Sequence, residues 1–182
     1  MPPEEVEKTV NLVMVPLTDE IITEVGGIDN TPNFQYYVSK TIFLTLFDGK
    51  RESRILDGQV IRTGSAVREN IRIPAYRPGV IPKPDQPGFT VPNWNRLDIA
   101  FEKYENSPVV SFGKQGNSPN AKYEILYNGD TYGTINYGGM DYTVSFNEPG
   151  ELPYLMITIK ENLTDINYRD SREVTGLRLN EL

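Results

Sequence analysis

Residues 121–160, AKYEILYNGDTYGTINYGGMDYTVSFNEPGELPYLMITIK, decide the fold class. Tyr123, Ile125 and Tyr127 alternate with Lys122, Glu124 and Asn128. Tyr142, Val144 and Phe146 alternate with Asp141, Thr143 and Ser145, and Leu155, Ile157 and Ile159 repeat the pattern. Successive side chains on a strand point to opposite faces, so this period of two marks half-buried strands. Between the runs stand Asn128-Gly129-Asp130, Gly138-Gly139 and Pro149-Gly150, residues that supply the backbone angles of tight turns. The stretch predicts a three-strand meander. With it comes an all-β protein, an antiparallel β-sandwich or a partly open barrel.

Outward from this stretch the pattern continues. Residues 97–101 (LDIAF) put Leu97, Ile99 and Phe101 on one phase and Asp98 on the other, with Arg96 and Glu102 flanking; residues 109–112 read as a short strand. The run 34–47, FQYYVSKTIFLTLF, is the longest strand candidate. Tyr36, Val38, Ile42, Leu44 and Leu46 share one face, and Tyr37, Phe43 and Phe47 the other, as in a central strand of a sandwich. The apolar run 10–15 predicts a strand buried on both faces, and a final strand is expected near 174–179. One short helix is expected over about 18–25. Thr18 can cap it, Asp19 and Glu20 suit its positive end, and Gly26-Gly27 ends it. Residues 30–33 read as a loop. Residues 1–8 read as a flexible tail, leaving 9–182 as a single sandwich domain. The alternative is two β lobes, 9–80 and 93–182, joined by the segment 74–92. That segment holds Pro74, Pro78, Pro82, Pro84, Pro87 and Pro92, too many for a sheet interior, and predicts an extended surface connection.

Composition sets bounds on function. The 182 residues carry a net charge of -7, with 38% hydrophobic and 24% charged residues. Such a chain builds a real core, and its acidity argues against nucleic acid, whose binding needs phosphate neutralisation by Lys and Arg. There is no His and no Cys. This removes Ser-His-Asp triads, cysteine nucleophiles, zinc sites built on Cys or His, haem on His and iron–sulfur clusters, so no cofactor or metal is expected. Asp165-Ile166-Asn167 begins like a calcium loop, but the required later Gly and Glu are missing. Asn162-Leu163-Thr164 fits a glycosylation acceptor. No apolar run is long enough to span a membrane.

Candidate site residues are few. Eleven tyrosines give large contact area and a hydroxyl each, which suits recognition. Tyr127, Tyr132, Tyr137 and Tyr142 cluster at the turns of the meander, and with Trp94 they form the expected ligand-binding set. Residues 50–77 are basic, and Arg62, Arg68 and Arg72 are candidates for binding an anion through their planar forks. They can equally be an exposed face that balances an acidic surface. A glycosidase needs two facing carboxylates, for which Asp98, Glu102, Glu124, Asp130 and Asp141 are available.

The run 34–46 and the proline-rich middle resemble bacterial exported lipoproteins in general character. This implies export, with a leader or lipid anchor removed, and a place at the cell surface, outside the cell or in the periplasm; the alternative is the cytoplasm. The expected work is non-catalytic binding or adhesion to a protein or glycan, as a monomer or weak homo-oligomer. A fimbrial-type subunit that assembles by strand exchange is the first alternative, with 6–15 or 174–182 as the donated strand, and a carboxylate-dependent glycoside hydrolase the second.

Overall fold

The computed structural model describes residues 10–47, 52–63, 67–103, 108–128, 133–146 and 150–162, with 175, 177, 178 and 180. In chain order the elements are β1 (Val10–Pro16), α1 (Asp19–Glu24), a 3-10 helix (Ile28–Asn33), β2 (Tyr36–Val38), β3 (Ile42–Phe47), β4 (Glu52–Leu56), β5 (Gln59–Thr63), β6 (Val67–Ile73), β7 (Pro78–Gly79), β8 (Leu97–Ala100), β9 (Val109–Gly113), β10 (Glu124–Ile125), β11 (Thr134–Tyr137), β12 (Met140–Phe146) and β13 (Leu155–Asn162). The protein is mostly β, with antiparallel sheets in a sandwich-like fold. The sheets run β1-β13-β2-β7, β10-β9-β8, β11-β12-β3-β6 and β4-β5, and none closes into a barrel among the described residues. No helix among them is long and apolar enough to cross a membrane. By internal contacts the chain divides into two compact units, 14–158 and 1–13 with 159–182. The hydrophobic core lies within 14–158.

Strand β3 is an inner strand of one of the two four-stranded sheets. β12 and β6 flank it, with Leu44 opposite Val144 on one side and Ile71 on the other. Its burial alternates strictly, so Ile42, Leu44 and Leu46 face the core while Phe43, Thr45 and Phe47 do not. Tyr36, Val38, Leu155 and Ile157 from the first sheet, and Leu97, Ile99, Val110 and Phe112 from the second, complete the interior. The helix forms as expected. The Thr18 Oγ1 accepts from the Ile21 N–H at 3.4 Å, Ile22 is buried, and Gly26 (φ 107°) and Gly27 (φ 99°) take backbone angles that side chains resist.

Several expectations are corrected. The run 34–47 is two strands in two sheets, broken at Ser39-Lys40. The break keeps its backbone paired. The Ser39 N–H donates to the Tyr154 carbonyl at 2.9 Å, the Tyr154 N–H donates to Ser39 Oγ at 2.9 Å, and the Tyr76 N–H donates to the Val38 carbonyl at 2.7 Å. The meander survives only as the β11–β12 hairpin, turned by Gly138 (φ 62°) and Gly139 (φ 89°). β12 has β11 on one edge and β3 on the other, so no edge remains for β13, which pairs with β2. β10 joins β9 instead. Residues 30–33 are not a loop but part of the 3-10 helix, where the Thr31 hydroxyl donates to the Ile28 carbonyl at 2.6 Å. β1 is not buried on both faces: Leu12, Val13 and Met14 are exposed. Around the expected final strand near 174–179, the described residues Thr175, Leu177 and Arg178 carry no strand.

The proline-rich segment is extended, but part of it packs rather than hangs. Pro78–Gly79 adds an edge to β2, Val80 bridges Ala100, and Ile81 and Pro82 are buried. Gly79 is needed there, because a Cβ would stand 2.6 Å from the Ile99 side chain and 2.8 Å from the Phe101 ring. The tail 1–8, the turn residues Gly129, Asp130 and Pro149, and 163–170 lie outside the described residues.

Candidate functional site

The site begins with strand parity. On β6, Glu69, Ile71 and Ile73 share one phase; Ile73 is buried, Ile71 half-buried and Glu69 exposed. On the β11–β12 hairpin the inward phase carries Ile135, Tyr137, Tyr142 and Val144. The tight glycine turn brings Tyr137 and Tyr142 together edge to face, with ring centroids 5.9 Å apart and planes at 87°. Both residues are 4% exposed. Glu102 follows β8. The Tyr137 hydroxyl donates to Glu102 Oε1 at 2.5 Å, and the Tyr142 hydroxyl donates to Glu69 Oε2 at 3.1 Å.

These four side chains, with Ile71, Pro108, Gly138 and Met140, line an open cleft of about 240 Å³. Burial pushes the Tyr142 hydroxyl pKa up, and the Glu69 hydrogen bond and charge push it further. Arg68 opposes the shift and Glu102 adds to it, so both carboxylates act on the same hydroxyl. An adjoining hollow of about 220 Å³ shares the wall of Ile71, Glu102 and Tyr137, but it carries Arg72 and Arg77. The cleft therefore offers two carboxylate acceptors, two phenol groups and an apolar flank.

Of the sequence-predicted ligand-binding residues, the cleft unites Tyr137 and Tyr142. Tyr127 is half-buried elsewhere, edge to face with Phe146 at 6.4 Å. Trp94 is 37% exposed and does not line the cleft. Its carbonyl lies 3.0 Å from the Tyr123 hydroxyl, and Lys114 Nζ sits 6.0 Å from its ring centre while pairing with Asp19. Tyr132 lies outside the described residues. Among the arginines, Arg72 stands on β6 opposite Phe43, and Arg68 is the extra residue where Leu46 pairs with Glu69 and Phe47 with Val67. Arg62 is on β5, in the separate β4–β5 sheet, opposite Ser53.

Of the carboxylate candidates, Glu102 reaches the cleft. Glu124 is on β10, and Asp141 accepts from Asn136 Nδ2 at 3.1 Å beside the hairpin turn. Asp98 is not on an outward phase as the alternation predicts: it is 4% exposed. Thr90 Oγ1 donates to it at 2.5 Å, Ser111 Oγ at 2.6 Å and Arg96 Nε at 2.8 Å. Burial alone would raise its pKa, but these hydrogen bonds and the Arg96 charge outweigh it and hold the carboxyl below its ordinary range. Glu69 is the residue that sequence reasoning missed. Its signal was an acid on the same strand phase as Ile71 and Ile73, where an inward apolar residue belongs.

No protein-family model, curated protein or solved structure matches this chain.

Proposed function

We propose that the protein is a non-catalytic binding module, exported to the cell surface or periplasm, that holds a protein or glycan ligand at the Tyr137–Tyr142 cleft. One observation carries the binding part of this reading: two nearly buried tyrosines present their hydroxyls, each on an exposed glutamate, at the wall of an open cleft. Polar groups converging on a partly apolar hollow are what a recognition site needs, since the apolar wall favours contact and the polar groups fix orientation. The test is a screen of the immobilised full chain against glycan arrays and surface-protein extracts, repeated with Tyr137→Ala and Glu102→Gln. Binding lost in both variants, with an unchanged circular-dichroism spectrum, supports the cleft. Binding retained in both places the ligand elsewhere.

A second reading, self-assembly by strand addition, has an observation of its own. Leu12 and Val13 are exposed on β1, which ends the order of its sheet among the described residues. An exposed apolar edge is a template for another strand. A concentration-dependent rise in mass by light scattering, abolished by Leu12→Lys, supports it; a monomer at all concentrations refutes it.

A further inference from the structure

The cleft's chemistry narrows its ligand. Among the described residues, its lining holds Glu69 and Glu102 and no basic residue. Arg68, the basic charge felt at the Tyr142 hydroxyl, is opposed there by both glutamates and is not part of the wall. Arg72 and Arg77 stand in the neighbouring hollow, on the other side of the wall that Glu102 and Tyr137 share with it. The local balance in the cleft is thus acidic, within a surface that changes sign a few residues away.

Size and ring orientation narrow it further. About 240 Å³ is smaller than hollows that enclose a drug-sized molecule, and it suits one slim side chain. A sugar ring stacks on an open aromatic face, yet Tyr137 and Tyr142 are 4% exposed and packed edge to face on each other. What they present to the cleft is hydroxyl groups already oriented toward carboxylates. Ile71, Met140 and Pro108 supply an apolar flank for methylenes. A flexible chain with apolar stem and charged tip matches such a site, the stem lying on the flank and the tip reaching the carboxylates.

Building on the binding reading above, we infer that the cleft takes a cationic side chain, lysine or arginine, presented by a protein partner. Tyr137 and Tyr142 act as positioning residues, holding Glu102 and Glu69 through their hydroxyls. The probe is the peptide acetyl-Ala-Ala-Lys-Ala-Ala-amide, titrated into the full chain while the ring protons of Tyr137 and Tyr142 are followed by NMR. Its arginine counterpart, its norleucine counterpart and free glucosamine are the comparisons.

The expected result is a saturable shift of both rings with the lysine and arginine peptides and none with norleucine. Glu69→Gln and Glu102→Gln should each weaken binding by about tenfold, as loss of a charge-assisted hydrogen bond does, with the thermal midpoint nearly unchanged. Equal binding of the norleucine peptide overturns the inference, as does full affinity in the double glutamine variant. Glucosamine binding in preference to lysine overturns the assignment to a protein partner. If the screened ligand still binds the cleft in the double glutamine variant, the cation assignment fails and the binding module stands. If Tyr137→Ala leaves that ligand bound, the site itself fails.

Discussion

Asp98 and the Glu69–Glu102 pair are both carboxylate clusters, and they do opposite things. Asp98 is buried and receives hydrogen bonds from three residues on three pieces of chain: Thr90 in the proline-rich segment, Arg96 before β8 and Ser111 on β9. Its acceptor capacity is used up inside the fold. Glu69 and Glu102 are exposed, and each has a single tyrosine hydroxyl as hydrogen-bond partner among the described residues. An ionised carboxylate has about four lone-pair sites, so the described residues take up only a small part of theirs. The difference teaches that counting acids in a sequence says little. How many donors the fold already supplies decides whether an acid holds the structure or is open to a ligand.

The largest effect that would break this contrast is on stability. Asp98→Ala should cost about 2–4 kcal/mol, because it removes the buried acceptor shared by Thr90, Arg96 and Ser111; the cost stays below that of a fully buried pair since exposed Thr90 and Arg96 can turn to water. Glu69→Gln and Glu102→Gln should each cost less than about 1 kcal/mol, as exposed charges do. Urea melts of the three variants measure this, and equal costs would erase the contrast.

Gly79→Ala comes next. The new Cβ would meet Ile99 and Phe101 side chains at under 3 Å, so β7 must shift off β8. Overpacking of this kind costs about 1–3 kcal/mol. The same melts should show it, and a neutral result would mean that the proline-rich segment does not hold the packing around Asp98 in place.

The pH profile separates the clusters by sign. Asp98 has a folded pKa below its ordinary 3.8, so its contribution is present above that value and is lost as pH falls through the folded pKa. Tyr36 and Tyr123 behave in reverse. Burial raises both, and for Tyr123 the Asp19 carboxylate, 2.7 Å from its hydroxyl, raises it further. Their contribution is present below the ordinary tyrosine value of 10.0 and is lost as pH rises above it. Stability measured by urea melts should therefore fall at both ends. Asp98→Asn should flatten the acid limb alone, and Tyr123→Phe the alkaline limb alone. A variant that flattens the opposite limb would show that the shift belongs to other groups.

The sequence carried strand phase well and strand partners poorly. Tyr142 and Val144 were placed inward, and Gly138-Gly139 was placed at a turn, because alternation and glycine are local signals. The destination of β13 was not local. Its alternation says which face is buried, and says nothing of whether β12 has a free edge. The break at Ser39-Lys40 was hidden for a related reason: Tyr36, Val38, Ile42, Leu44 and Leu46 keep one parity straight through it. Asp98 was read outward because β8 alternates, yet Thr90 reaches over that outer face and buries it. β4 was not foreseen at all, and its hairpin with β5 leaves Ile55 77% and Val60 66% exposed, directly opposite each other. Half of the cleft was legible, since Tyr137 and Tyr142 flank one turn. Glu69 on β6 and Glu102 after β8 are far apart in the chain, and no local pattern joins them.

The smallest expected effect tests the cleft half of the contrast most finely. Tyr142→Phe removes the hydroxyl that donates to Glu69 at 3.1 Å and keeps the ring that packs on Tyr137. Glu69 is exposed and can take water in place of the lost donor, so stability should change by less than about 1 kcal/mol. Tyr123→Phe removes a hydroxyl from a half-buried network with Asp19 and the Trp94 carbonyl, and should cost more. What Tyr142→Phe should change is geometry, because Glu69 then lacks the donor that orients it. Cation binding should weaken by a few-fold, less than in Glu69→Gln, where the charge itself is gone. If Tyr142→Phe destabilises the protein as much as Tyr123→Phe, the hydroxyl is part of the packing. The cleft would then belong with Asp98, among the groups that hold the fold.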